Sequence, residues 1–141
     1  MVMAILAENP PRTILLVEDE PPVRRLLKRI LSSESAKILT AGSGAQALQI
    51  AVRTAVDLVI LDVKLPDMSG TEVLRQLRDI DANVAVIMVT GHGSAGTVRA
   101  AMEMGAFDYL TKPFSTEEMS RVVREALASR RADSRRSELH S

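Results

Sequence analysis

The chain has no cysteine, so neither a disulfide framework nor a thiolate metal site is open to it, and a reducing compartment suits it. It has no charge of one sign to spare. Eighteen Lys and Arg balance eighteen Asp and Glu, so no global field marks a nucleic acid or an anionic membrane as its partner. No apolar run approaches the length of a bilayer crossing. The apolar opening, Met1 to Ala7, has no basic residues before it and is too short for the apolar stretch and cleavage site of a secretory signal. Aromatics are scarce, with Tyr109 the only tyrosine. These absences point to a soluble cytoplasmic protein. At 141 residues, 46% hydrophobic and 26% charged, the composition is that of one globular domain rather than a disordered chain.

What is present is a series of short apolar runs separated by helical periodicity. Ile14-Leu15-Leu16-Val17, Leu58-Val59-Ile60-Leu61 and Val84-Ala85-Val86-Ile87-Met88-Val89 read as strands buried on both faces. Residues 37–41 and Tyr109-Leu110-Thr111 complete five. Val23, Leu26, Leu27, Ile30 and Leu31 form an apolar stripe after Pro21-Pro22, which suits a helix start. Ser43 with Gln46, Ser69 with Glu72 and Ser115 with Glu118 each give a capping-box spacing. Behind them lie Ala45, Leu48, Ala51 and Val52; then Val73, Leu74 and Leu77; then Met119, Val122, Val123, Ala126 and Leu127. A weaker helix over residues 94–104 carries Val98, Ala101 and Met102, and Met88, Met102 and Met104 read as gap-filling core.

Strands alternating with helices imply a parallel sheet, and a doubly wound order of 2-1-3-4-5 with helices on both faces sets strand one beside strand three. Residues 13–129 hold all of this. Residues 1–12 are then an N-terminal extension, and residues 130–141 a basic tail, linker or frayed helix end. That tail carries four arginines against Asp133 and Glu138, and too little chain follows Leu127 for a helix-turn-helix that reads DNA.

Four polar positions stand at strand ends: Glu18-Asp19, Asp62, Thr90 and, after the fifth strand, Lys112. Ligands of parallel sheets gather outside these ends. An aspartate there can attack phosphorus and form an acyl phosphate. Nearby Glu18 and Asp19 would repel the incoming anion, which a Mg²⁺ ion would offset. Thr90 offers a hydroxyl, Lys112 an ammonium, and Gly91-His92-Gly93 backbone N–H groups. His92 and His140 lack a second His or Cys for a metal site. Taken singly, each residue also has a plainer reading: helix cap, turn aspartate, strand-end hydroxyl, solvated lysine and packing aromatic.

In order and spacing the motifs resemble the receiver domain of two-component response regulators. They are Ile14-Leu15-Leu16-Val17-Glu18-Asp19-Glu20, the segment from Asp57 through Leu61-Asp62-Val63-Lys64-Leu65-Pro66-Asp67-Met68-Ser69-Gly70, then Val86-Ile87-Met88-Val89-Thr90-Gly91-His92, and Gly105-Ala106-Phe107-Asp108-Tyr109-Leu110-Thr111-Lys112-Pro113-Phe114. The resemblance implies a flavodoxin-like fold and a phosphoacceptor at Asp62. It implies Mg²⁺ on Glu18, Asp19, Asp62 and the backbone carbonyl of Lys64. It makes Thr90 a switch hydroxyl, Tyr109 a switch aromatic and Lys112 the phosphate-binding lysine before a cis Pro113. Lys64 and His92 match positions that flank the path of hydrolytic water. Glu18 stands where Asp is commoner, and Gly91 where Ala is usual.

The implied donor is a sensor histidine kinase or histidine phosphotransfer protein. The reader is a downstream effector or a second copy through the fourth helix, fifth strand and fifth helix. Direct contact with nucleic acid or membrane is not expected, nor is any catalysis beyond the domain's own phosphorylation and dephosphorylation. Two other classes fit less well. A Mg²⁺-dependent phosphatase or phosphotransferase with an aspartyl nucleophile would want a second Asp where Lys64 stands. A flavin binder would want a hydroxyl- and glycine-rich loop where Glu18-Asp19-Glu20-Pro21-Pro22 is acidic.

Overall fold

The structure is a computed structural model that describes residues 11–91 and 95–140, with side chains as far as residue 129. Strands and helices alternate: β1 (Arg12–Val17), α1 (Pro21–Leu31), β2 (Ala36–Ala41), α2 (Gly44–Arg53), β3 (Leu58–Asp62), α3 (Gly70–Ile80), β4 (Ala85–Thr90), α4 (Ala95–Glu103), β5 (Asp108–Thr111) and α5 (Thr116–His140). All strand pairs are parallel, in the order β2-β1-β3-β4-β5. The doubly wound fold expected from the alternation is the fold observed. β1 begins at Arg12, one residue inside the expected extension. α5 carries the backbone on through most of the basic tail. The apolar segment Met1 to Ala7 lies outside the described residues.

Strand side chains alternate between two cores, as a period of two demands. On one face Ile14, Leu16, Leu58, Ile60, Ile87, Val89 and Leu110 pack with Leu27, Ile30 and Leu31 of α1 and Met119, Val122, Val123 and Ala126 of α5. On the other, Leu15, Val17, Val59, Leu61, Val86 and Met88 pack with Ala47 of α2, Val73, Leu74 and Leu77 of α3, and Ala101 of α4. Both faces of β3 and β4 are covered, which is why those segments read as unbroken apolar runs.

Three expected helix faces need correction. Leu26 of α1 is half exposed, while Leu27, Ile30 and Leu31 carry the buried stripe. In α2 the buried positions are Gly44 and Ala47, with Leu48 and Ala51 packed against the core, whereas Ala45 is exposed and Val52 is 70% exposed. The face thus keeps Leu48 and Ala51 and exchanges Ala45 and Val52 for Gly44 and Ala47, a turn of less than the roughly 100° between successive residues, with Gly44 packed closely on Met68 and Val73. In α4 Ala101 is buried but the adjacent Met102 is exposed; Met88 is a core residue and Met104 a flanking one.

The serine caps form as expected: Ser43, Ser69 and Ser115 Oγ accept the N–H groups of Gln46, Glu72 and Glu118 at 3.2, 3.2 and 3.0 Å. The return halves of two of the boxes are used differently. Gln46 Oε1 takes the N–H of Gly42, and Glu72 turns to Arg75 and Gln76. Gly105 (φ 94°) ends α4, where Gly105 N–H donates to Met102 O and Ala106 N–H to Ala101 O, the double closure of a left-handed helix stop. At the amino end of the sheet Arg12 links Asp57 (3.2 Å) and the Leu127 carbonyl (3.2 Å), tying α5 to β1 and β3.

Gly70 opens α3 where no side chain fits. A Cβ there would lie 2.6 Å from Val63 Cα and 2.9 Å from Asp62 O, both backbone atoms that cannot turn aside. Gly70→Ala should therefore lower stability by roughly 3 kcal/mol in urea unfolding, the upper end of an overpacking cost. A loss under about 0.5 kcal/mol, the range of an innocuous surface change, would contradict this packing.

Candidate functional site

The pleat decides which acidic residue meets which partner. Glu18 has the parity of Ile14 and Leu16, Asp62 that of Leu58 and Ile60, and Lys112 that of Leu110, so all three lie on the α1/α5 side. Thr90 has the parity of Met88, and Tyr109 packs with the other core, on the α2–α4 side. The ladder continues past the strands to hold these ends. Glu18 N–H donates to Ala41 O at 3.0 Å, Val63 N–H to Val89 O at 2.9 Å, and Lys112 N–H to Thr90 O at 2.7 Å.

Lys112 Nζ consequently sits between two carboxylates, 3.2 Å from Glu18 Oε1 and 3.1 Å from Asp62 Oδ2. Glu18 is 1% exposed, Asp62 7% and Thr90 6%. The other oxygens are occupied too: Asp62 Oδ1 accepts Lys64 N–H at 2.9 Å, and Glu18 Oε2 accepts Glu20 N–H at 3.1 Å. Arg24 reaches back from α1 to the Glu18 carbonyl at 2.8 Å. Lys112–Pro113 is cis, as the resemblance implied.

Burial pushes the Glu18 carboxyl up to about 7; the Glu20 N–H pulls it down, neighbouring Asp62 raises it further, and the Lys112 charge lowers it. Burial alone would lower the Lys112 ammonium. The hydrogen bond and charge of Asp62, with those of Glu18, outweigh it and hold the amine above the usual lysine range.

Glu18, Asp19 and Glu20 bring carboxylate oxygens within 4.8 Å of one another. The structure therefore adds Glu20 to the expected pair. Its signal was the third consecutive acid, easily read as a helix cap, yet its side chain makes no cap bond to α1. Asp19 is exposed, and it is Glu18 that shares Lys112 with Asp62. Lys64 presents its N–H to Asp62 while its side chain is exposed. Tyr109 is partly buried, and its hydroxyl is buried with no hydrogen-bond partner among the described residues. His92 lies outside the described residues, as does the side chain of His140.

Asp67, which the sequence reading did not single out as a site residue, accepts from two α2 backbone N–H groups, Gly44 and Ala45, both at 2.9 Å. The N–H of Ala45, then that of Gly44, holds its carboxyl below the usual range.

A family model described as the response regulator receiver domain matches residues 14–124. The chain belongs to the response regulator receiver family. This receiver domain is 36% identical over 114 residues to sporulation initiation phosphotransferase F of Bacillus subtilis, covering 81% of the chain and 92% of that protein. It is 36% identical over 117 residues to transcriptional regulatory protein GlrR of Escherichia coli, covering 83% of the chain but 26% of that protein. Against a CheY-like receiver domain protein from Methanospirillum hungatei the TM-score is 0.84 at 27% identity, over 88% of the chain and 99% of the other. Among the described residues of the receiver domain no helix is long and apolar enough to cross a membrane.

The raised Glu18 carboxyl makes the receiver domain's stability depend on pH. Its folded value of about 7 exceeds its ordinary 4.5, so the fold binds this proton more tightly than the unfolded chain does. Stability from this group is full at low pH and falls as pH rises through that window. In EDTA, the Tm difference between Glu18→Gln and wild type should therefore grow in favour of the variant from pH 5 to pH 8. A constant difference across that range would refute the assignment.

Proposed function

We propose that this receiver domain is a phosphorylation-controlled switch whose Asp62 accepts a phosphoryl group from the phosphohistidine of a sensor histidine kinase or a histidine phosphotransfer protein. The observation that carries the reading is the Lys112 ammonium shared between Asp62 and Glu18. It supplies one positive charge to two carboxylates and stands where new phosphoryl oxygens would form beside Asp62.

In the transfer an Asp62 carboxylate oxygen bonds to phosphorus, the phosphorus–nitrogen bond of the donor breaks, and its electron pair leaves on the imidazole, which takes up a proton. Asp62 is restrained for this by Lys64 N–H on one oxygen and Lys112 on the other. Three clustered carboxylates beside a buried aspartate are the hard-oxygen donor set that Mg²⁺ takes. Glu18, Asp19, Asp62 and the Lys64 carbonyl would hold it, with Glu20 as a further donor. Bound there, it would offset the charge between the acidic cluster and the phosphoryl oxygens.

Thr90 then engages the phosphoryl group through its hydroxyl, and Tyr109 responds on the same side of the sheet. The Tyr109 hydroxyl, buried and without a partner among the described residues, is a group for which a second side-chain position would bring a gain. Lys64 and His92 shield the acyl phosphate from water. A downstream effector reads α4, β5 and α5, and pairing of two copies through that surface is one form of readout. The domain works in the cytoplasm and turns over no separate substrate.

Acetyl phosphate with Mg²⁺ should add one hydroxylamine-labile phosphoryl group to the wild type and none to Asp62→Asn. EDTA should abolish the reaction. Equal labelling of the Asn variant would remove Asp62 from the role.

Thr90→Ala should still accept phosphate, because Asp62 and the acidic cluster are intact, yet respond less. With beryllofluoride as phosphoryl mimic, NMR shift changes around Tyr109 should shrink in this variant, and undiminished changes would break the coupling.

A further inference from the structure

The turn between β3 and α3 is fastened at both ends and once in its middle. At its base Lys64 and Ser69 form an isolated antiparallel bridge, and Gly70 N–H donates to Val63 O at 2.9 Å. Its middle is held to a different part of the fold. Asp67 Oδ1 accepts from Gly44 N–H and Oδ2 from Ala45 N–H, both at 2.9 Å, so one carboxylate spans two donors at the open end of α2. The sign is favourable, since an anion at a helix start gains from the helix dipole. Met68 lies directly over Gly44: a Cβ on that glycine would collide with the Met68 side chain and come 2.9 Å from Val73 Cγ2.

The sheet order gives this contact a consequence. β2 and β3 flank β1, so α2 and the β3–α3 turn stand on either side of the β1 end, from which the acidic run 18–20 emerges. Asp67 joins the two connections that flank that end, over a separation of more than twenty residues. Within the fastened turn is Lys64, whose N–H holds Asp62 Oδ1.

We propose that Asp67 is a positioning residue for phosphoryl transfer: by clasping the start of α2 it fixes the turn that keeps Lys64 N–H on Asp62 and makes the Lys64 carbonyl available to the metal. The inference rests on the reading of Asp62 as a Mg²⁺-dependent phosphoacceptor. Outer groups that orient metal ligands are worth about tenfold or more in metal affinity when removed. A merely structural carboxylate would instead cost stability alone.

The test uses Asp67→Ala and Asp67→Asn in the full chain, with Val56→Ala as a control. Val56 is buried just before β3, at the opposite end of the sheet, so its truncation destabilises without touching the turn. Mg²⁺ is titrated by NMR, exchange of the Lys64 amide is followed in EDTA, and labelling by acetyl phosphate is timed at saturating Mg²⁺. Asp67→Ala should weaken Mg²⁺ about tenfold, speed exchange of the Lys64 amide and slow labelling. Asp67→Asn, which keeps one acceptor oxygen, should fall between it and the wild type. Val56→Ala should lower Tm by as much or more and change none of the three. Wild-type Mg²⁺ affinity and Lys64 exchange in Asp67→Ala would overturn the proposal, as would equal losses in the control. If the wild type showed no Mg²⁺-dependent labelling at Asp62, the phosphoacceptor reading would fall. The Lys64 exchange data would then still decide whether Asp67 holds the turn.

Discussion

One ammonium group holds together two carboxylates that the fold has removed from water. Glu18 and Asp62 are nearly inaccessible, and Lys112 is, among the described residues, the cation within ion-pair distance of both. Unpaired charges in such surroundings cost several kcal/mol each, so the ends of β1, β3 and β5 must arrive together for the fold to close. The sheet achieves this with β4 as spacer. Its last carbonyl, on Thr90, takes the Lys112 N–H, which fixes where the lysine leaves the sheet. The same attraction leaves the site charged for work. With Glu18 ionised, two negative groups share one positive one, and the surplus is what a divalent cation or a new set of donors would relieve. A site with its charges fully matched would have no comparable appetite for either.

The pleat divides the polar residues at the strand ends between the two faces of the sheet. Glu18, Asp62 and Lys112 share the side covered by α1 and α5, while Thr90 and Tyr109 belong to the side covered by α2, α3 and α4. Thr90 is the junction, since its carbonyl holds Lys112 while its side chain belongs to the second core. The helix on that second side with least purchase is α4, where Ala101 is the only fully buried residue and Met102 faces solvent. Elements with few buried apolar contacts shift at small cost. By contrast α5 is anchored at Met119, Val122, Val123 and Ala126, and again through Arg12 at its Leu127 carbonyl. A displacement at Thr90 would thus meet a loosely held helix on one side and a firmly held one on the other.

Asp67 fastens the middle of a turn to another element of the fold. Ordinary loops of this length are fastened only at their ends, and their middles are the mobile part. Here the middle is bonded to the start of a separate helix by a carboxylate that stays ionised. Gly44 then has two duties, giving its N–H to Asp67 and leaving room for Met68. Gly70, against the backbone of Val63, holds the other end.

Much of this was legible in the chain. Continuous apolar runs, serine caps three residues before Gln or Glu, and helices between the runs are local signals. They determined five parallel strands, their order by resemblance, and the strand-end positions of Glu18, Asp19, Asp62, Thr90 and Lys112. Where the structure departs from periodicity, it departs by rotation of helix faces. Periodicity places Val52, Leu26 and Met102 on buried faces, but a helix's orientation depends on what its small residues let it approach, as Gly44 does Met68 and Val73. Even the choice of Glu18 over Asp19 as the partner of Lys112 follows from strand parity, once β1 is known to keep its pleat through residue 18. What only the tertiary structure decided are the contacts at long separation: Lys112 between Glu18 and Asp62, Arg12 on Asp57, and Asp67 on α2. Residue type and local spacing set a side chain's reach and charge, but which partner lies within that reach is settled by packing whole elements against one another.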